Sequence, residues 1–209
     1  MQKLNNSNYK IKPFSQVTDF HGHICPGSAI GYKAAEIAIK ELFSKKSFDE
    51  ELICITENDS CAVDAIQVVT GCTFGKSNLI FHDYGKQAYT FINRETGDAV
   101  RLSMKESFST DNINPNLGKL RQKVNSGTAT NENEAELRET INKVSEGIIN
   151  LPDNEIFDVQ YMKVELPAKT RIFKSVKCSK CGEMVSDHRK RLHKENILCM
   201  PCFNKIKEN

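Results

Sequence analysis

Asp19-Phe20-His21-Gly22-His23-Ile24-Cys25-Pro26-Gly27 is the stretch from which the rest of the chain can be read. Three side chains able to hold a metal or move a proton, His21, His23 and Cys25, sit at every second position. In an extended segment they fall on one face, because side chains there alternate sides. Pro26 and Gly27 end the run and an apolar-periodic stretch begins at once. Proline is favoured at a first helical position, where its missing N–H leaves no partner unsatisfied. Cys25 is therefore expected at the mouth of a helix, where unpaired N–H groups and the dipole favour a thiolate. Taken singly, each histidine reads as a core polar residue and Cys25 as a small buried hydrophobe. Grouped beside Pro-Gly, the three read as a site.

Outward from this stretch, residues 28–43 carry Ile30, Ala34, Ile37, Ala38 and Leu42 near helical spacing, and Lys45, Lys46 and Ser47 are expected to end that helix. Residues 52–56 (LICIT) read as a short buried strand, with Cys54 in the core. The polar run 57–60 supplies capping chemistry for a helix over 61–70, closed by Gly71. Cys61 then lies in a first helical turn, with Asp64 three residues on and on the same face. Residues 72–78 form a Gly- and hydroxyl-rich loop that lacks the spacing of a phosphate-binding loop. Strands are expected over 78–84, 87–93, 100–105 and 157–166, the middle two joined as a hairpin around Glu95-Thr96-Gly97-Asp98 and the last stopped by Pro167. Helices are expected over 115–125 and 133–151, with a loop over 126–133. Hairpins rather than strict strand–helix alternation make the fold class α+β, a mixed or antiparallel sheet with packed helices.

The 209 residues suffice for one domain plus a small appendage, and 39% hydrophobic with 27% charged residues is ordinary for a soluble globular chain. No apolar run approaches the roughly 20 residues of a membrane span. The polar first twelve residues lack the apolar core of a signal peptide, so the expected location is cytoplasmic and no membrane partner is expected. Eight cysteines in that setting point to metal binding or catalysis rather than structural disulfides. Charge divides the chain: residues 168–209 carry +7 and the remainder −5. The expected organisation is a core over 1–167, a basic linker over 168–177 and a finger over 178–209.

In that last segment Cys178-Ser-Lys-Cys181-Gly182 is followed by Cys199-Met-Pro-Cys202. Two CxxC pairs at this separation fit a structural Zn²⁺ site, and the glycine after the second cysteine suits a tight knuckle whose N–H groups face sulfur. A short helix-compatible stretch after Cys202 completes the order of a treble-clef finger. His188 and His193, between the pairs, are read as solvent-facing.

The runs FHGHICPGSAIGYKAA (20–35) and NDSCAVDAIQVVTGCTFGKSNLIFHDYGKQAYTF (58–91) resemble the FmdE family, which takes its name from formylmethanofuran dehydrogenase, over most of residues 14–166. The resemblance implies an α+β core, a treble-clef zinc finger and an intertwined homodimer. By name it implies association with molybdenum or tungsten formylmethanofuran dehydrogenase and with methanogenesis. Carried over position by position, it marks His21, His23, Cys25, Asn58, Cys61, Asp64, Gln67, Cys72 and Lys86.

Three functions follow from these residues. The first is a core metal site of His21, His23, Cys25 and Cys61, with Asp64 or Cys72 as a further ligand or supporting partner. That mixed N/S set suits zinc, iron or nickel and one-carbon chemistry, or delivery of metal or sulfur to a partner enzyme. The second is a thiol- or acyl-transfer enzyme in which Cys25 or Cys61 is the nucleophile and His23 the base, with Asp64 among the catalytic residues. The third is a regulatory or interaction protein, transcription-associated or metal-sensing, working through the finger. The basic tail attracts phosphate. Phe203 is its lone aromatic after the first finger cysteine, so a nucleic-acid partner is the weaker expectation.

Overall fold

Each of the chain's two compact units, Met1–Ala168 and Lys169–Asn209, carries its own hydrophobic cluster. The computed structural model describes residues 11–42, 51–166 and 173–207. The expected helix stop at Lys45–Ser47, Pro167 and the first half of the expected linker lie outside the described residues.

In the larger unit α1 (Phe14–His21) and α2 (Pro26–Leu42) lead to β1 (Leu52–Thr56), α3 (Ala62–Thr70), β2 (Leu79–Phe81), β3 (Ala88–Asn93) and β4 (Asp98–Met104). Then follow α4 (Thr110–Ile113), α5 (Asn116–Asn125), α6 (Asn131–Asn150), α7 (Asp153–Ile156) and β5 (Phe157–Lys163). The strands form one mixed sheet in the order β2-β1-β3-β4-β5, with β1 and β2 parallel and every other pair antiparallel. The α+β reading and the central hairpin hold. Thr130 caps α6 two residues earlier than the apolar spacing indicates, through a reciprocal box with Asn133.

Strand alternation sorts the sheet into two faces. Leu52, Cys54, Tyr89, Phe91, Val100 and Leu102 join Ala34, Ile37 and Ala38 of α2, Ile66 and Val69 of α3, and Val144 and Ile148 of α6 in the main core. Ile53, Ile92 and Ala99 point the other way and form a separate cluster with Ile55, Ile80 and Met162. Glu57, directly after β1, is held by a bidentate pair with Arg101 of β4.

Helices α2 and α3 meet backbone to backbone. A Cβ on Gly31 would lie 2.1 Å from the Ala62 carbonyl oxygen and 2.5 Å from its Cα, so no side chain fits there. One turn earlier, a Cβ on Gly27 would lie 3.1 Å from the Cys61 Cβ. Glycines four apart share one helix face. This pair therefore presses the N-terminal half of α2 onto the opening turn of α3.

The smaller unit is built around its four cysteines. β6 (Ser175–Lys177) pairs with β7 (Met184–Ser186), β8 (Arg191–His193) pairs with β9 (Asn196–Leu198), and α8 (Met200–Lys207) ends the described chain. β6 falls inside the stretch expected to be linker; its ladder with β7 makes it part of the finger. His193 is half-buried rather than solvent-facing, and His188 is exposed but stacks on Phe173 with ring centroids 4.0 Å apart. Among the described residues no helix is long and apolar enough to cross a membrane.

The Gly31 contact generates a stability prediction. Gly31→Ala should destabilise the protein by about 2 kcal/mol or more through overpacking against rigid backbone. Gly75→Ala, with nothing within 4 Å of the added methyl, should stay within about 0.5 kcal/mol of wild type. Urea unfolding of both variants checks this, and equal midpoints would refute the contact.

Candidate metal centre

His21 does not sit in an extended segment. It is the last residue of α1, and Gly22, at φ 88°, closes the helix by donating its N–H to the Thr18 carbonyl. Phe14 and Val17 on one face and a glycine directly after a histidine are the sequence signals for that helix. The chain turns through His23 and Ile24, and α2 opens at Pro26. His21, His23 and Cys25 do not alternate along a strand, yet they are grouped for a different reason. A helix end and a helix start, joined by a tight elbow, bring ligand atoms of His21, His23 and Cys25 within 4.8 Å of one another. The two imidazoles lie 4.4 Å apart at their centroids, tilted by 38°.

Cys25 caps α2. The Ser28 N–H donates to its sulfur at 3.3 Å, while the Ser28 hydroxyl oxygen lies 3.4 Å from the Cys25 N–H. This is the reciprocal arrangement of a capping box with sulfur in place of a hydroxyl. Burial raises the Cys25 thiol, but the Ser28 hydroxyl and N–H, the Cys61 thiol and His21 together hold it below its ordinary range. The spacing of potential ligands does not single out Ser28; its place three residues after an N-cap is the signal that marks it.

α3 supplies the support. Asp64 accepts from His21 Nδ1 at 2.7 Å, which leaves Nε2 facing the Cys25 sulfur at 3.7 Å. Gln67 Nε2 donates to the other Asp64 oxygen at 3.3 Å. The Asp64 hydrogen bond is the largest influence on His21 and raises its pKa; burial opposes it, and Cys25 adds to the rise. Cys61 is the N-cap residue of α3, so it precedes rather than occupies the first turn. Its sulfur lies beside that of Cys25, but it is not one of the three groups whose ligand atoms cluster. Burial and the neighbouring Cys25 push its thiol up.

The remaining marked residues lie elsewhere. Cys72 is fully buried in the main core with its thiol donating to the Leu52 carbonyl, and burial pushes it up to about 12. Cys72 is not one of the three groups whose ligand atoms cluster at the elbow, and it packs instead within the main core. Cys54 is core, as expected. Asn58 organises the turn before α3: its Nδ2 donates to the Lys86 carbonyl at 2.7 Å, and its Oδ1 accepts from the Ser60 N–H and hydroxyl. The Lys86 side chain is exposed and approaches the Tyr84 ring.

The four finger sulfurs form the second cluster, all within 4.8 Å, with Cys181 and Cys199 3.8 Å apart. A tetrahedral ion with metal–sulfur bonds of about 2.3 Å places sulfurs about 3.8 Å apart, so the set fits zinc. Backbone N–H groups of Cys181 and Cys199 aim at Cys178 and draw its thiol down to about 6. In the core trio an ion would space its N and S ligands by about 3.3 to 3.8 Å. His21 Nε2 and the Cys25 sulfur stand 3.7 Å apart, within that range, and His23 is exposed beside them.

Comparison with known proteins bears on this geometry. The family model described as "FmdE, Molybdenum formylmethanofuran dehydrogenase operon" matches residues 20–158. A protein of Archaeoglobus fulgidus named "Probable S-adenosyl-L-methionine-binding protein" is 31% identical over 189 residues, covering 88% of this chain and 50% of that protein. The chain thus spans about half the length of this curated relative. A crystal structure of a tungsten formylmethanofuran dehydrogenase FmdE-like protein from Syntrophus aciditrophicus superposes with a TM-score of 0.54 at 23% identity, covering 91% of this chain and 90% of that one. That likeness is one of fold.

Two solution measurements test the site's electrostatics. In metal-free protein His21 should titrate above 6.5, and Asp64→Asn should bring it down, read by imidazole NMR. A raised folded-state value means that this histidine's contribution to stability is complete below 6.5 and is lost as the pH rises through the raised value. Iodoacetamide at neutral pH should label Cys25 well before Cys72, whose thiolate fraction near about 12 is roughly a thousandfold below that of an ordinary thiol. Equal labelling of the two would contradict the burial of Cys72.

Proposed function

Because the chain belongs to the FmdE family, we propose that it is a metal-binding protein of formylmethanofuran-linked one-carbon chemistry with two metal centres of different kinds. The observation that supports this most is the convergence of His21, His23 and Cys25 at one elbow, with Asp64 fixing His21 from a second helix. The metal in the core would be zinc, iron or nickel, held by His21 through Nε2, by His23 and by the Cys25 thiolate, with Cys61 adjacent to complete the set. A metal so held would supply Lewis acidity or electron transfer. The chain's own residues do the rest. Asp64 holds the His21 tautomer, Gln67 steadies Asp64, and the Ser28 N–H donates to the Cys25 sulfur.

The finger centre is structural. Cys178, Cys181, Cys199 and Cys202 would hold Zn²⁺, closed on all sides by sulfur, and without it the small unit has little else to fold around. Homodimerisation and service to a formylmethanofuran dehydrogenase-like partner belong to the same proposal, and S-adenosyl-L-methionine, from the relative's name, is a ligand to be tried. A second reading keeps Cys25 as a nucleophile in thiol or acyl transfer, favoured by the Ser28 N–H aimed at its sulfur.

Metal counting on the full chain decides between them. Protein loaded with zinc and freed of excess should hold two ions per chain. His21→Ala and Cys25→Ser should each remove one, and Cys181→Ser should remove the other. Asp64→Asn should weaken the core ion about 10- to 100-fold while leaving the finger ion in place. One ion per chain, indifferent to His21 and Cys25, would leave the nucleophile reading.

A further inference from the structure

Of the chain's eight cysteines, two, both placed among the proposed core ligands, also share a setting suited to joining one to the other. Cys25 and Cys61 stand at the mouths of different helices, pressed together by the Gly27 and Gly31 contacts. The point where a Gly27 Cβ would lie is 3.8 Å from the Cys25 sulfur and 3.9 Å from the Cys61 sulfur. Both are half-buried and open to water, whereas Cys54 and Cys72 are fully enclosed. Each lies at a loop–helix junction, Cys25 before Pro26 and Cys61 before Ala62.

We propose that Cys25 and Cys61 are the attacking and resolving thiols of a hydroperoxide-reactive pair that closes to a reversible disulfide. The Cys25 sulfur attacks one peroxide oxygen, the O–O bond breaks, and the second oxygen leaves as water, giving a sulfenic acid on Cys25. The Cys61 sulfur then attacks the Cys25 sulfur, the S–S bond forms, the S–O bond breaks, and a second water leaves with the Cys61 proton. Two thiols lose two electrons and one hydrogen peroxide becomes two waters. The pair stands whether or not a metal binds at the elbow; a metal on the Cys25 sulfur shields it, and closure of the disulfide withdraws that sulfur from any metal.

The test uses the full chain, cleared of metal with a chelator and treated with one equivalent of hydrogen peroxide, followed by peptide mass mapping. The expected major product in the core is a peptide linked through Cys25 and Cys61 within one chain, opened again by dithiothreitol. In Cys61→Ser and Cys61→Ala a 1,3-diketone probe should trap the Cys25 sulfenic acid, which wild type should not accumulate. Mapping separates these products from oxidation of the finger cysteines and does not depend on the variants' stability. A Cys25 sulfinic acid beside a reduced Cys61, a Cys25–Cys25 link between chains, or both residues remaining thiols would overturn the proposal. Metal counts are independent: a linked peptide in a chain whose core binds no metal would sink the core-metal reading alone.

Discussion

The contact between Gly31 and the Ala62 carbonyl is the constraint on which the rest depends. Backbone meets backbone there, with no room for a side chain between the two helices. Residues distant in the sequence are thereby set in register: Cys61 opposite Gly27, and Asp64 within reach of His21. The sheet beneath supplies the platform, since α2 and α3 bury Ile37, Ala38, Ile66 and Val69 against one of its faces. Loosening the glycine contact would therefore unseat both the support for His21 and the neighbour of Cys25. The site is a property of the helix pair rather than of the elbow by itself.

Much of the architecture is legible because its signals are local. Gly71 after an apolar-periodic run, the hairpin around Glu95 to Asp98, and Pro26 opening α2 each state their conformation through backbone preferences. Residues 19–25 depart from their expected extended conformation. Alternate spacing of His21, His23 and Cys25 is compatible with a strand, but Gly22 in a left-handed conformation ends a helix instead. The grouping survives because an elbow of four residues leaves few places for three side chains to go. What no local rule conveys is which distant element supports a site. Helical spacing to Cys61 marks Asp64, but its hydrogen bond to His21 joins α1 to α3, elements 43 residues apart whose meeting no local rule gives.

The cysteines show how environment divides a single chemistry. Cys54 and Cys72 are enclosed by aliphatic groups, and burial keeps both protonated. Cys178 is drawn toward the thiolate by backbone N–H groups in its knuckle. Cys25 receives an N–H from Ser28 while staying in contact with water. Composition counts all of these as one residue type, and position relative to N–H donors separates them.

At the elbow the closing turn of α1 faces the opening turn of α2, so a negative helix pole and a positive one stand four residues apart. An imidazolium is favoured at the first and a sulfide anion at the second, and each moderates the other's charge. Between those poles the Asp64 carboxylate, the His21 ring and the Cys25 sulfur follow one another in contact, so the junction is polar along one direction. A visiting molecule would meet its donor and acceptor groups in a fixed order, which selects by orientation.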